Sequence, residues 1–126
     1  MEFLTSIKNS IPDYAKDIRL NVDSTIARSS LEGNDAVAVA LAAAFATKSK
    51  TLIDLIKNSG HIAPEEVQAA LTAASLMGMN NVWYPFVEMA DDEDLKTQGA
   101  QLRMNAYATN GGVDKRRFEM YALAAS

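Results

Sequence analysis

The stretch AVAVALAAAFA, residues 36 to 46, is the longest uninterrupted apolar run of the chain and decides which kind of fold it can form. It falls well short of the roughly 20 residues that a helix needs to cross a bilayer. Its alanines favour a helix because alanine loses no side-chain entropy there. The run therefore predicts a core helix, with Asn34 as its N-cap and its end near Thr47.

Two shorter helices are predicted before this core helix. The second opens at Pro12, and proline suits the first turn of a helix because its φ angle is already helical. The apolar residues that share one side of these helices are Phe3, Leu4 and Ile7 in the first and Tyr14, Ala15, Ile18 and Val22 in the second. This spacing predicts that both sides pack inward.

Two further helices are predicted after the core helix. Residues 50 to 59 carry four large aliphatic side chains and are followed by Gly60, in the position where a left-handed residue ends a helix. The next helix opens with Pro64 and the pair Glu65 and Glu66, because acids suit the positive end of the helix dipole. Its inward face is predicted to be built of Val67, Ala70, Leu71, Ala74 and Gly78.

The second half of the chain contains several residues that typically end helices or form turns. Pro85 is expected to end the long helix near Tyr84. The acidic run MADDEDLK, residues 89 to 96, is predicted to be a solvated loop or first turn, because it lacks the glycine-centred spacing of a calcium loop. Gly111 and Gly112 indicate a turn, and Asp114 is a suitable cap for the last helix. No segment alternates like a strand, so we predict one all-α domain over residues 1 to 126.

Charge and composition exclude several classes of function. The net charge of −4 and the pI near 4.9 argue against nucleic acid or an anionic membrane as partner, because phosphate binding needs a basic face. The chain has no cysteine, which agrees with a reducing compartment. The start MEFLTS lacks the pattern of a signal peptide. We therefore expect a cytoplasmic protein.

The last helix, FEMYALAA, carries a single charge at Glu119. Phe118, Tyr121, Ala122 and Ala125 form one apolar stripe, and the remaining positions are apolar too, which is typical of a helix buried all round. Burial would favour the protonated carboxyl of Glu119 and suit it to proton transfer near neutral pH. The alternative is that Glu119 lies at a solvent edge or pairs with a basic group such as Arg103 or Arg117.

The other candidate residues give weaker signals. His61 is the only histidine and lies in a connection, so an exposed, non-catalytic role is favoured. Without cysteine or a second histidine, no metal site is expected. The basic triplet from Lys115 to Arg117 sits at the unfavourable end of a helix dipole, yet three surface charges are common. Asn80 and Asn81 could join a polar network between helices.

Four segments resemble the alkyl hydroperoxide reductase D (AhpD) family of the carboxymuconolactone decarboxylase-like group. They are IPDYAKDIRLNV (11 to 22), AALTAASLMGMNNVWY (69 to 84), LRMNAYA (102 to 108) and FEMYALAAS (118 to 126). The resemblance implies an all-helical fold that forms a homo-oligomer, and a thiol-dependent peroxidase that also reduces an AhpC-type peroxiredoxin. It further implies a lipoyl-bearing dehydrogenase subunit as electron donor, and no bound cofactor.

The family's redox block is missing from these residues. In the family, the helix equivalent to FEMYALAAS is followed by Ile-Asn-Gly and a Cys-x-x-Cys motif with a histidine soon after. Only Glu119 matches the catalytic set, where the glutamate takes part in a proton relay. We therefore expect residues 1 to 126 to be the N-terminal portion of an AhpD-like hydroperoxidase and to have no peroxidase activity alone.

A non-enzymatic helical oligomerisation or interaction module is the alternative. The last helix ends without a C-terminal cap, so a fragment or truncation is favoured over a dedicated cysteine-free relative. The apolar faces that such a truncation exposes predict oligomerisation or domain exchange.

Overall fold

The chain folds into seven α-helices joined by turns and short irregular helical segments. The computed structural model describes all 126 residues and contains no strand, which confirms the all-α prediction. The α-helices are α1 (Glu2–Ser10), α2 (Lys16–Val22), α3 (Gly33–Ala46), α4 (Lys50–Lys57), α5 (Pro64–Ala90), α6 (Glu93–Thr97) and α7 (Lys115–Ala125). Short 3-10 helices cover Asp13–Ala15 and Asn105–Gly112, and a π-helical turn covers Asp23–Ala27.

The apolar run of residues 36 to 46 forms the centre of the core, as predicted. Its helix α3 packs against α4, α5 and α7. The side chains of Val37, Leu41 and Ala42 are fully buried. Because α5 presents mainly alanines to them, the backbones can approach closely and the core is built with few large residues.

The inward face of α5 is made of small residues, and the prediction was right for part of it. Ala69, Ala70, Ala73 and Ala74 are buried. Val67 and Leu71, which were predicted to face inward, are only half-buried, and Gly78 is exposed. The buried stripe is thus rotated from the predicted one by about one residue.

Gly111 marks the closest approach between the turn after α6 and the core. It has a φ of +61°, and a Cβ there would lie 2.9 Å from Cε2 of Phe118 and 3.2 Å from the Cα of Ala69. Tyr107 stacks edge-on against Phe118, with ring centroids 5.2 Å apart. The Gly111 and Gly112 turn was predicted; the reason that it must be glycine is this contact with Phe118.

Three of the predicted helix ends are confirmed, among them the end of α3 at Ala46, next to Thr47. Pro64 is the first residue of α5, and Asp114 caps α7 by accepting a hydrogen bond from the Arg117 backbone N–H at 2.9 Å. Gly60 is left-handed, with φ +77°, although α4 already ends at Lys57. Asn34 is not the N-cap of α3, because the helix begins one residue earlier at Gly33. The predicted start of a helix at Pro12 is wrong, because Pro12 precedes a 3-10 turn and α2 begins only at Lys16.

The prediction that Pro85 ends α5 is wrong. The helix continues through Pro85 to Ala90, where Asp91 adopts the left-handed conformation that stops it. A proline inside a helix removes the hydrogen bond to the residue four positions earlier, here Asn81, and crowds its carbonyl. Residues 77 to 90 of α5 include no buried residue, so the helix can adjust around Pro85 without disturbing the core. None of the helices combines the length and the apolar character that a bilayer crossing requires.

The predicted inward side of the α2 segment is also partly wrong. Tyr14 is 93% exposed and Ile18 is exposed as well, whereas Ala15 and Val22 are half-buried. Helix α2 packs mainly against α1, the π-helical turn and the preceding 3-10 turn, which leaves its outer side exposed. The periodicity identified an apolar side without revealing whether anything packs on it.

The acidic run is solvated, as predicted. Asp92 caps α6 by accepting hydrogen bonds from the backbone of Asp94 and Leu95. Lys96 contacts the carboxylates of Asp91 and Glu93 at 2.5 and 3.2 Å. These local ion pairs hold the run as a short helical turn at the surface.

Candidate functional site

Helix α7 divides the candidate site into a buried face and an exposed face. Phe118, Tyr121, Ala122 and Ala125 are buried against α3 and α5, as their spacing predicted. The opposite face carries Lys115, Glu119 and Leu123, spaced four residues apart, and all three are exposed. The helix is therefore not buried all round.

Glu119 lies on the exposed face, and the prediction of a buried carboxylate is wrong. Its side chain is 60% exposed, and its nearest cation is the Nζ of Lys115 at 3.8 Å. The predicted partners Arg103 and Arg117 do not pair with it. The physical reason is rotational: Phe118 and Tyr121 fix the inward face, which turns position 119 outward. A surface pair of this kind restrains the carboxylate weakly.

The buried acids of this region are Asp35 and Glu66. Arg116 Nη2 donates to Asp35 Oδ2 at 2.9 Å, and Arg117 Nε lies 3.0 Å from Asp35 Oδ1 without the alignment of a hydrogen bond. Arg117 Nη1 lies 3.7 Å from Glu66 Oε1. The carboxylate of Asp35 raises the pKa of Arg116. Two arginines thus neutralise two carboxylates at the junction of three helices.

Helix dipoles explain why this cluster sits where it does. Asp35 and Glu66 lie in the first turns of α3 and α5, where the positive end of each dipole favours an acid. The first turn of α7 carries Arg116 and Arg117, which its own dipole disfavours. The two neighbouring acids offset that unfavourable placement.

Sequence reasoning did not find this cluster. The only signal was the basic triplet at the wrong end of a helix dipole, which calls for nearby anions. Asp35 lies 81 residues before Arg116, so no local pattern could have identified it as the partner.

Tyr121 is the third buried residue of the site that carries a polar group. Its side chain is fully buried, and its hydroxyl has no hydrogen-bond partner within the protein. Burial raises the pKa of Tyr121 to about 12, and the charges of Glu66 and Asp35 add to the effect. The hydroxyl therefore stays protonated well above neutral pH.

The remaining residues singled out in the sequence do not lie together in one site. Asn81 Nδ2 donates to the carbonyl of Ala125 at 2.9 Å and so ties α5 to the end of α7. Asn80 instead contacts the sulfur of Met77. His61 is exposed beside the ring of Phe3, with ring centroids 6.0 Å apart. The structure brings no group of three potential metal ligands together.

This all-helical scaffold, with its acid-bearing last helix, matches a known class of enzyme along nearly its whole length. It is 41% identical over 128 residues to the alkyl hydroperoxide reductase AhpD of Coxiella burnetii (strain Dugway 5J108-111), covering 98% of this chain and 72% of that protein. The AhpD protein of Bradyrhizobium sp. (strain BTAi1 / ATCC BAA-1182) is 42% identical, with 98% and 68% covered.

The same relationship extends to the AhpD protein of Brucella canis (strain ATCC 23365 / NCTC 10854 / RM-666), which is 38% identical, with 98% and 71% covered. No protein-family model matches the chain. The chain belongs to the AhpD family of alkyl hydroperoxide reductases.

Proposed function

We propose that these residues provide the helical scaffold and one proton-transferring acid of an AhpD-type antioxidant peroxidase, while its redox thiols lie outside them. The observation that carries the proposal is the identity of about 40% to proteins named AhpD along 98% of this chain. The sequence resemblance adds that such a protein reduces alkyl hydroperoxides and an AhpC-type peroxiredoxin.

The chemistry of peroxide reduction explains why thiols are needed from elsewhere. A cysteine thiolate attacks one peroxide oxygen and releases an alcohol, and a second thiol resolves the sulfenic acid as a disulfide with loss of water. Residues 1 to 126 contain no cysteine. We therefore expect no peroxidase activity from this chain alone.

A hydroperoxide assay tests this expectation directly. The purified, metal-free chain is mixed with tert-butyl hydroperoxide and an excess of dihydrolipoamide, and peroxide consumption is followed. We expect a rate equal to that of dihydrolipoamide without protein. A rate that rises in proportion to the concentration of the chain would refute the proposal.

Glu119 is the residue that we propose takes part in proton transfer. Its position supports this in two ways: it is held only by a long contact to Lys115, and it lies beside Met120 and Leu123, of which Leu123 is 76% exposed. An apolar surface next to an unrestrained carboxylate suits the packing of a thiol-bearing segment over it. Such packing would supply the desolvation that an exposed acid lacks.

The proposed partners follow from the family resemblance. They are an AhpC-type peroxiredoxin as the protein reduced and a lipoyl group on a dehydrogenase subunit as the electron donor. We also propose a cytoplasmic location, because dithiol chemistry of this kind operates in a reducing compartment.

We further propose that the chain forms a homo-oligomer through the second half of α5. Large apolar side chains are exposed there, with Val82 at 71% and Met89 at 79%. Met79 and Phe86, three to four residues from these on the same helix face, are exposed as well. A contiguous apolar surface of this kind marks a protein contact in soluble proteins.

Sedimentation velocity of a charged variant tests the oligomer. The parent chain is expected to sediment as a multimer of its 13.6 kDa mass, and Val82→Glu with Met89→Glu as a monomer. The exposed control Gln68→Glu on the same helix should leave the parent distribution unchanged. A monomeric parent chain at high concentration would rule out this surface as an oligomer contact.

The exposed α5 surface also supports the second candidate, a helical oligomerisation module without redox chemistry. Under that alternative the chain assembles in the same way, but no thiol-bearing segment completes its site. An experiment that supplies thiols distinguishes the peroxidase scaffold from the oligomerisation module. Only the first candidate predicts that Glu119 affects peroxide reduction.

A further inference from the structure

An apolar cavity of about 300 Å³, open to solvent on one side, lies on the side of α3 that faces away from α5 and α7. Its walls come from α1, α2, the π-helical turn, α3 and α4, and none of its lining residues belongs to α5 or α7. Since Glu119 lies on α7 and the proposed oligomer surface on α5, the cavity is separate from both. Nothing in the proposed redox chemistry uses it.

The cavity exists because two well-held walls face each other across small side chains. On one wall, Ala36, Ala40 and Ala43 of α3 leave room where larger residues would fill the gap. Ile26 of the π-helical turn stands on the other wall. Lys8 of α1 holds that turn through a bidentate contact with Asp23 at 2.9 and 3.0 Å.

The volume of the cavity fits a small organic molecule. An apolar cavity of about 150 Å³ takes one benzene, and ligand pockets begin at about 300 Å³. The space along α3 therefore accommodates roughly eight to twelve carbon atoms.

The lining determines the chemical class of the ligand. No charged side chain lines the cavity, and its polar groups are three hydroxyls. Ser29 already accepts from the Leu31 N–H at 3.1 Å, and Thr47 donates to the Ala44 carbonyl at 2.7 Å. Only Thr25, which is exposed, keeps its hydroxyl free of a protein partner. An ionised group inside would lose its hydration without a counter-charge.

We propose that this cavity is a binding site for a neutral, mainly aliphatic small molecule, with its single polar end at Thr25 and its chain along Ala40 and Ala43. This proposal is independent of the peroxidase proposal. Loss of one would leave the other standing.

Titration of the ¹⁵N-labelled chain with 1-octanol tests the site. We expect saturable shifts of the amides around the cavity, and at least tenfold weaker binding of 1,8-octanediol, whose second hydroxyl would lie among the apolar side chains without a hydrogen-bond partner. The absence of saturable shifts up to the solubility limit would overturn the proposal. So would equal binding of 1,8-octanediol.

Matched variants locate the site. Ala40→Leu fills the space and should weaken 1-octanol binding at least tenfold, whereas Ala124→Leu, on the half-buried side of α7, should leave it unchanged. Ile26→Ala widens the opposite wall and should shift the preference towards 1-decanol, which keeps the test decisive if Ala40→Leu fails to fold. If the same amides shift with protein concentration and 1-octanol does not compete, the surface is a contact between copies and the proposal fails.

Discussion

Replacing Arg117 with methionine is expected to lower the free energy of unfolding by about 3 kcal/mol. Arg117 touches both buried carboxylates, Asp35 and Glu66, and its removal leaves Glu66 without a cation. An unpaired buried charge costs far more than a lost surface contact. Methionine preserves much of the side-chain volume and leaves the backbone N–H that Asp114 caps in place.

Urea unfolding measures this change, with Arg116→Met as the matched control. Arg116 also contacts Asp35, but its side chain is 62% exposed, so we expect a much smaller loss of stability. Arg117→Lys should fall between the two, because lysine keeps the charge without reaching both carboxylates equally well. If Arg117→Met unfolds at the same urea concentration as the parent chain, the ion cluster does not stabilise the helix junction.

The second large effect concerns alkaline pH and Tyr121. In the unfolded chain a tyrosine ionises near its ordinary pKa of 10, whereas burial raises the pKa of Tyr121 to about 12 in the fold. Between these values the unfolded state releases a proton that the folded state retains. The free energy of unfolding is therefore unaffected by this ionisation below pH 10. It falls as pH rises towards 12, by about 2–3 kcal/mol in all.

Unfolding curves of Tyr121→Phe between pH 9 and 11.5 test this coupling. The variant should lose less stability over this range than the parent chain, and at pH 7 it should be at least as stable, because the buried hydroxyl has no protein partner. Tyr14→Phe, at an exposed position, should follow the parent curve. Parallel curves for the parent chain and Tyr121→Phe would show that Tyr121 ionises equally easily in both states.

Local signals predicted much of the fold. Pro64, Asp114 and the glycine turn at Gly111 were identified because each satisfies a backbone requirement that neighbouring residues reveal. The apolar run of α3 was identified as core because a helix that is apolar on all sides is normally buried. That residues 1 to 126 form one domain stays a prediction.

The errors arose where tertiary packing decides the outcome. Pro85 lies in a part of α5, residues 77 to 90, that includes no buried residue, which the sequence does not show. Tyr14 and Ile18 have the spacing of an inward face, yet no element packs on them. The apolar character of α7 concealed its rotation, which Phe118 and Tyr121 fix through contacts with distant helices.

The candidate site was predictable only through the family resemblance. Glu119 was singled out as the lone charge of its helix, but its proposed proton-transfer role rests on the match to the family. The prediction that it is buried was wrong. The buried acids Asp35 and Glu66 went unnoticed, because Glu66 was explained by its place at a helix start and no local pattern distinguishes Asp35. Their partners lie far along the chain, and only folding brings them together.

We propose above all that this scaffold presents Glu119 to thiols supplied from outside residues 1 to 126. The most direct measurement extends the chain after Ser126 with the remaining residues of the Coxiella burnetii relative, which the family resemblance expects to carry the Cys-x-x-Cys motif. The initial rate of alkyl hydroperoxide reduction by this chimera is then compared with that of its Glu119→Gln variant, with Glu93→Gln as the exposed control. We expect an active chimera, an unchanged control and a loss of roughly 100-fold for Glu119→Gln. An inactive chimera that folds, or full activity of Glu119→Gln, would contradict the claim.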